Sequence, residues 1–256
     1  MTTFPGGCSV TRLFSYADGS APHLHTVSTE SYVVIGGTGT LQTLDMSGYR
    51  ETPLAEGSTI WFTPGTIHRA VNHGDLRVIV VMSNAGLPEA GDAVMTFPPS
   101  IVADPERYRN AARLPTVSTR PGGAQPGGTS PGETRSDGKR NGEARGGEIE
   151  RAVDARRALA LEGFQQLIDG GPEALAVFYE HATALVRPNV DAWRGIVAEI
   201  VRKQTERTTA VLDALEAGDG RHLRDAALFG APQSETAGWG MCGRLRTHDV
   251  HDPKGL

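Results

Sequence analysis

Residues 116–147 decide how this chain can fold. After Val117 the stretch holds no Val, Ile, Leu, Met or aromatic side chain, while Gly and Pro recur along it. Such a segment cannot bury enough surface to offset its ordering entropy. It is expected to be a flexible linker, with five basic against three acidic residues. Nothing in it is apolar enough to dock as a lid. The folded parts are then 1–115 and 148–256, and a chain of 256 residues is long enough for two modest domains.

The two parts differ in hydrophobic period. Before the linker, short alternating runs are separated by Gly, Pro, Asp and Asn at the spacing of an all-β sandwich or barrel. Strands are expected at 9–16, 23–25, 31–35, 40–45, 59–62, 67–72 and 76–82, with a short turn near 105–113. After the linker the period is helical. One helix spans 148–168 and is closed by Gly170 and Gly171. Pro172 suits the first turn of a second helix, to about 186, with Leu175, Phe178, Ala182 and Leu185 in one stripe. A third runs from Pro188 to about 217, with Trp193, Ile196, Val197, Ile200, Val201, Val211, Leu212 and Leu215 on one face. A short fourth is expected near 221–229. These stripes read as helix-bundle core, and the class is α+β overall.

Composition removes several functions. The formal net charge is −5, and the part from 148 onward has 13 basic against 17 acidic residues. Nucleic acid and anionic membrane are therefore poor partners. No helix-turn-helix pattern is seen. No apolar run reaches the roughly 20 residues of a spanning helix. The start lacks a basic n-region and an apolar h-region, so no secretory signal is read and a cytoplasmic location is expected. The two cysteines, Cys8 and Cys242, make neither a disulfide framework nor a Cys-rich zinc site.

The chemistry concentrates in two stretches. In residues 19–37, His23 and His25 stand at i and i+2, so a strand turns both to one face. Glu30 opens the next strand and adds a carboxylate beside them. In residues 57–72, a Pro64-Gly65 turn aims His68 from another strand. Three imidazoles and one carboxylate suit one divalent transition metal with positions left for water or substrate.

These stretches resemble the paired motifs of the cupin superfamily. The first motif is a Gly, His-x-His, a Glu after three or four intervening residues and a Gly after six more. His23, His25, Glu30 and Gly37 stand at those spacings. The second is a Gly, a Pro-x-Gly turn, a His and then an Asn, matched by Gly57, Pro64, Gly65, His68 and Asn72. Gly19 lies nearer to His23 than the pattern has it, and Pro64 and Gly65 are adjacent rather than spaced by one. Both departures concern turns, not ligands. The resemblance spans roughly residues 8–100 and implies an eight-stranded jelly-roll barrel over 1–115 with a metal inside its mouth. The ligands would be His23, His25, Glu30 and His68. The metal would be one of Fe(II), Mn(II), Ni(II) or Zn(II).

Strand parity places Tyr32 on the face of Glu30, and Asn72 on that of His68. With Glu30 they are the candidate substrate-contacting or ligand-orienting groups. Trp61 is expected in the core and His73 outside it. His181 is expected to pack between helices. His248 and His251 are read as a solvated tail, and Cys242, within Gly-rich flanks, as a buried inert thiol. The family implies a metal-dependent enzyme acting on a small organic molecule, with an oxygenase-type reaction leading. A non-redox isomerase, lyase or decarboxylase and a non-catalytic metal- or small-molecule-binding protein are the alternatives. A homodimer is expected from the same resemblance.

Overall fold

The computed structural model describes residues 4–115 and 137–250 together with 252, 254 and 255, and for 137–146 the backbone only. The expected linker over 116–136 lies outside the described residues, as does His251. Seven strands form the N-terminal half: β1 (Ser9–Ser15), β2 (His23–His25), β3 (Glu30–Asp45), β4 (Gly48–Ala55), β5 (Thr59–Phe62), β6 (Ile67–Met82) and β7 (Ala93–Met95). All pairings are antiparallel. β3 and β6 are long, and each absorbs two of the strands expected from sequence. They stay paired from Glu30↔Met82 to Leu44↔Ile67, with register shifts around Gly36 and Thr38. The glycines there mark bulges, not strand ends. Gly37 has φ 73°, and a Cβ on it would lie 2.2 Å from the Asp75 carbonyl oxygen, so only glycine lets the two strands cross so closely.

Inside, alternate residues of the strands meet in a dry core that includes Leu13, Tyr32, Leu41, Leu54, Phe62 and Val78. Trp61 takes the opposite parity to Phe62 on β5 and is 68% exposed, which corrects its expected place in the core.

The helical half contains α3 (Asp137–Val186), α4 (Val190–Val197) and α5 (Lys203–Glu216), after the short α1 (Pro99–Val102) and α2 (Pro105–Ala112). α3 starts inside the segment expected as linker. It is broken at Gly171 (φ 64°, ψ −156°) just before Pro172, as the Gly-Gly-Pro signal requires. Ile149, Val153, Arg156, Ala160, Phe164 and Leu167 make its buried face. That face lies on the barrel: Ala160, Phe164, Leu175, Phe178 and Trp193 share a second core with Leu24, Ile67, Met95 and Phe97. Gly163 permits the contact, since a Cβ there would sit 2.0 Å from the Thr96 carbonyl oxygen. Thr96 donates to the Ala160 carbonyl at 2.8 Å, and the Tyr179 hydroxyl to that of Gly65 at 2.9 Å. At about 1.5–3 kcal/mol for each fully buried Leu or Phe, the helices cannot leave the barrel cheaply.

The stripe expected on the third helix is used only in part. Trp193 is buried, but α5 buries no residue, and Leu212 and Leu215 are 61% and 48% exposed. The expected fourth helix is a short turn at Arg221–Asp225 followed by β8 (Phe229–Gly230), which pairs with β11 (Lys254–Gly255). The remaining strands, β9 (Gly238–Trp239) and β10 (Gly243–Thr247), return to the barrel. β10 pairs with β1 from Thr11↔Thr247 to Ser15↔Gly243, so the sheet has nine strands.

Candidate metal centre

β2 lies between the two cores, and its alternation separates them. Leu24 faces the helices and packs in the second core, while His23 and His25 belong to a buried polar cluster with Glu30 and His68. Across the ladder His23 stands opposite His68, and Glu30 opens β3 opposite Phe62 and Met82. Gly65 (φ 89°) fits the left-handed position of the 63–66 turn, where Thr66 donates to the Thr63 carbonyl. Gly65 also donates to the His25 carbonyl at 2.9 Å. The turn that leads to His68 is thereby tied to the strand of His25.

One donor atom from each of the four residues lies within 4.8 Å of the others. The rings are oriented from behind. His23 Nδ1 is 2.8 Å from the Ala21 carbonyl oxygen and His68 Nδ1 is 3.1 Å from that of Thr66. A carbonyl only accepts, so each Nδ1 carries a hydrogen and each Nε2 is turned to the cluster. His25 Nδ1 meets Asp92 Oδ1 at 2.7 Å. Glu30 Oε2 stands 3.2 Å from His25 Nε2 and 3.1 Å from His68 Nε2, yet neither Glu30 Oε2 nor His68 Nε2 has a hydrogen-bond partner. The three imidazoles and the carboxylate thus crowd one buried spot, with Glu30 Oε2 in ion-pair range of two of the rings. Burying a carboxylate without compensation costs several kcal/mol, so the donor set fits a divalent transition ion.

The electrostatics agree. Burial, with His68 and His25 beside it, pushes His23 down to about 3, so this imidazole stays neutral. Burial also opposes a charge on His25, but the Asp92 hydrogen bond and Glu30 outweigh it and raise the pKa to about 10. Burial would raise the Glu30 and Asp92 carboxyls as well. His68 and His25 hold Glu30 well below its ordinary value, and the His25 hydrogen bond holds Asp92 down. In the absence of a metal, a proton on His25 balances part of the buried negative charge.

Residues 13–83 match the family model described as a cupin domain. The chain carries a cupin domain. No curated protein matches the sequence. Among solved structures, Streptomyces PAC13 with uridine is 17% identical, over 31% of this chain and 61% of that one, with a TM-score of 0.27. The capsular polysaccharide assembling protein CapF of Staphylococcus aureus is 19% identical over 28% and 22%, with a TM-score of 0.26. A Klebsiella pneumoniae protein with a double-stranded β-helix domain is 24% identical over 29% and 62%, with a TM-score of 0.24. The chain thus spans about three fifths of the length of the Streptomyces protein.

Two further candidates part company in the cupin domain. Tyr32 is fully buried, edge-on to His68 at 6.5 Å between ring centroids, and its hydroxyl has no hydrogen-bond partner. Burial, Glu30 and Cys242 raise its pKa well above the ordinary value, so it remains a neutral donor. Asn72 does not join the cluster. Its side-chain oxygen accepts from the Gly74 and Leu76 amides and braces the bulged segment in the middle of β6. It lies four residues from His68, about 13 Å along an extended strand. Parity chose the face but could not choose the depth.

Asp92, buried and bonded to His25 and the Ser28 amide, was missed because no motif contains it. His73 is exposed with Nε2 near the Thr40 hydroxyl, as expected. His248 contacts Gln233 and the Ala231 carbonyl. Cys242 packs against the barrel core. Its partly buried thiol is pushed up to about 12 by burial and by Glu30.

Proposed function

We propose that the cupin domain is a metal-dependent enzyme for a small organic molecule, with an oxygenase-type reaction at a centre of His23, His25, Glu30 and His68. One observation carries this reading: each imidazole is anchored through Nδ1, and the free donors face one buried point with Glu30 Oε2. A bound divalent ion of Fe(II), Mn(II), Ni(II) or Zn(II) would supply Lewis acidity and, for a redox metal, a place for O₂. The protein's own groups do the rest. The Phe62 ring, 4.1 Å from the His68 ring, walls the site with apolar surface. Glu30 is the carboxylate placed to take a proton from a substrate carbon or hydroxyl. The unpartnered Tyr32 hydroxyl is placed to donate to a substrate oxygen, where a lost hydrogen bond would matter most.

A homodimer and a cytoplasmic setting complete the reading. Both cysteines are unpaired, which suits a reducing compartment, and no helix among the described residues is long and apolar enough to cross a membrane. The test is metal analysis of the full chain, followed by oxygen uptake with the metal-loaded protein on candidate hydroxyketones and enediols. Stoichiometric metal with oxygen consumption supports the reading. Turnover without oxygen consumption moves it to a non-redox isomerase, lyase or decarboxylase, and metal without turnover to a binding protein. No bound metal rejects it.

A further inference from the structure

Arg156 lies on the buried face of α3, between Val153 and Ala160, and is 9% exposed. Burying a guanidinium is costly unless it is paired, and no carboxylate among the described residues pairs with it. Its neighbour Arg157 has two carboxylates, Asp18 and Asp154. Arg156 instead donates to two carbonyls, Nη1 to Ala112 at 3.3 Å and Nη2 to Gly240 at 3.2 Å, while its buried Nε has no hydrogen-bond partner. Such bonds fix geometry; they do not neutralise charge. The Tyr16 hydroxyl donates to the same Gly240 carbonyl at 3.1 Å.

Gly240 belongs to the loop that precedes β10, and this loop lies on the barrel edge. A Cβ on Gly240 would come 2.4 Å from Leu245 Cδ1, and one on Gly243 would come 2.4 Å from the Phe14 carbonyl oxygen. The next residue, Met241, accepts from the Ala21 amide at 3.0 Å. Ala21 in turn accepts from His23 Nδ1 at 2.8 Å. Cys242 follows, within the field of Glu30.

We propose that Arg156 is a positioning residue for the metal centre, acting through Gly240, Met241 and Ala21 on the ring of His23 while holding Cys242 against the site. The helical module thereby braces a ligand that it never touches. This inference rests on the metal-centre reading. It assigns a task to residues outside the matched 13–83 segment.

The experiment uses the full chain in a Cys8→Ser background, with Arg156→Met, Arg156→Lys and Tyr16→Phe. Three quantities are measured: Co(II) affinity by chelator competition, the visible spectrum of the Co(II) protein, and the rate at which Cys242 reacts with an aromatic disulfide. Folding is checked by circular dichroism and Tm. In Arg156→Met, Co(II) affinity should fall several-fold, less than the about 10–100-fold seen when the direct partner of a ligating histidine is lost, since the Ala21 carbonyl stays in place. The Co(II) bands should shift, and Cys242 should react several-fold faster. Arg156→Lys, which keeps the charge and a single donor nitrogen in place of the guanidinium fork, should fall between Arg156→Met and wild type. A lowered Tm with unchanged affinity, spectrum and Cys242 protection would overturn the proposal, leaving Arg156 as a fastener of the module alone. If Arg156→Met does not fold, Arg156→Lys and Tyr16→Phe decide, and no change in either overturns it. If the wild type takes up no Co(II), the metal-centre reading fails separately, and the brace stands or falls on Cys242 protection.

Discussion

The barrel interior and the seam beneath the helices are both dry cores, yet they join different ranges of chain. The interior is drawn almost wholly from residues 13–82, with Cys242 and Leu245 at its rim. The seam joins residues 21–102 to residues 160–193. The cluster of His23, His25, Glu30 and His68 sits at their boundary, because one strand, β2, sends His23 and His25 one way and Leu24 the other. On β6, Ile67 belongs to the seam and His68 to the cluster. Packing that looks like the affair of an appended module is therefore the back wall of the site.

The hardest challenge to this comparison is to empty the seam. Phe178→Ala should cost about 3–5 kcal/mol and lower a single unfolding transition in which barrel and helices melt together. Two separated transitions, with the barrel unaffected, would break the comparison. His68→Ala attacks the other side of the boundary and should weaken metal binding by at least about a hundredfold, measured by competition with a chelator. Near-wild-type affinity would remove His68 from the ligand set.

Asp92→Asn probes the support behind His25 and should cost about 10–100-fold in metal affinity while leaving the apolar seam intact. It also removes part of what raises His25, so the number of protons released on metal binding near neutral pH should fall. Acid titration of the metal-stripped protein sharpens the boundary further. The folded pKa of His23, about 3, lies below its ordinary 6.5, so the unfolded chain binds the extra proton. Stability should therefore decline as pH falls from about 6.5 towards 3, by at most about 1.4 kcal/mol per pH unit from this group. His25 is raised to about 10 and works in the opposite sense. Its contribution is complete below about 6.5 and fades as pH rises through about 10. Denaturant midpoints across pH 4–10 measure both limbs, and a flat acid limb in a His23→Gln variant assigns the first. The smallest effect belongs to α5. Leu212→Ser should change stability by less than about 0.5 kcal/mol, and a larger loss would show that α5 is covered in solution.

Much of the site was legible because metal chemistry restricts residue type and spacing together. His-x-His, Glu30 and the Pro-Gly turn before His68 needed only strand parity and a resemblance to be grouped. Asp92 and Arg156 were not legible. Each acts at a distance of tens of residues from its partner, His25 or Gly240, and neither sits in a pattern. Asn72 shows the converse: parity grouped it with His68, but the bulge in β6 claimed its side-chain oxygen. Trp61 and Phe62 alternate on β5, and nothing local says which of two aromatic neighbours faces inward.

By itself the sequence determined the change of period from strand to helix, the break at Gly171-Pro172 and the identity of the four clustered donors. Those follow from local propensity, turn chemistry and the side-chain preferences of transition metals, all of which act over a few residues. The small core of a bundle of about 80 residues already pointed to docking of the helices, but tertiary structure alone decided which faces of α3 and the barrel meet, that Leu212 and Leu215 are exposed, and that residues 243–247 return to pair with β1. Those outcomes depend on which apolar faces meet and on hydrogen-bond ladders closed over more than 200 residues. Loop closure over such lengths is only weakly penalised, so the surface at the end of the loop, rather than anything within it, chooses the partner.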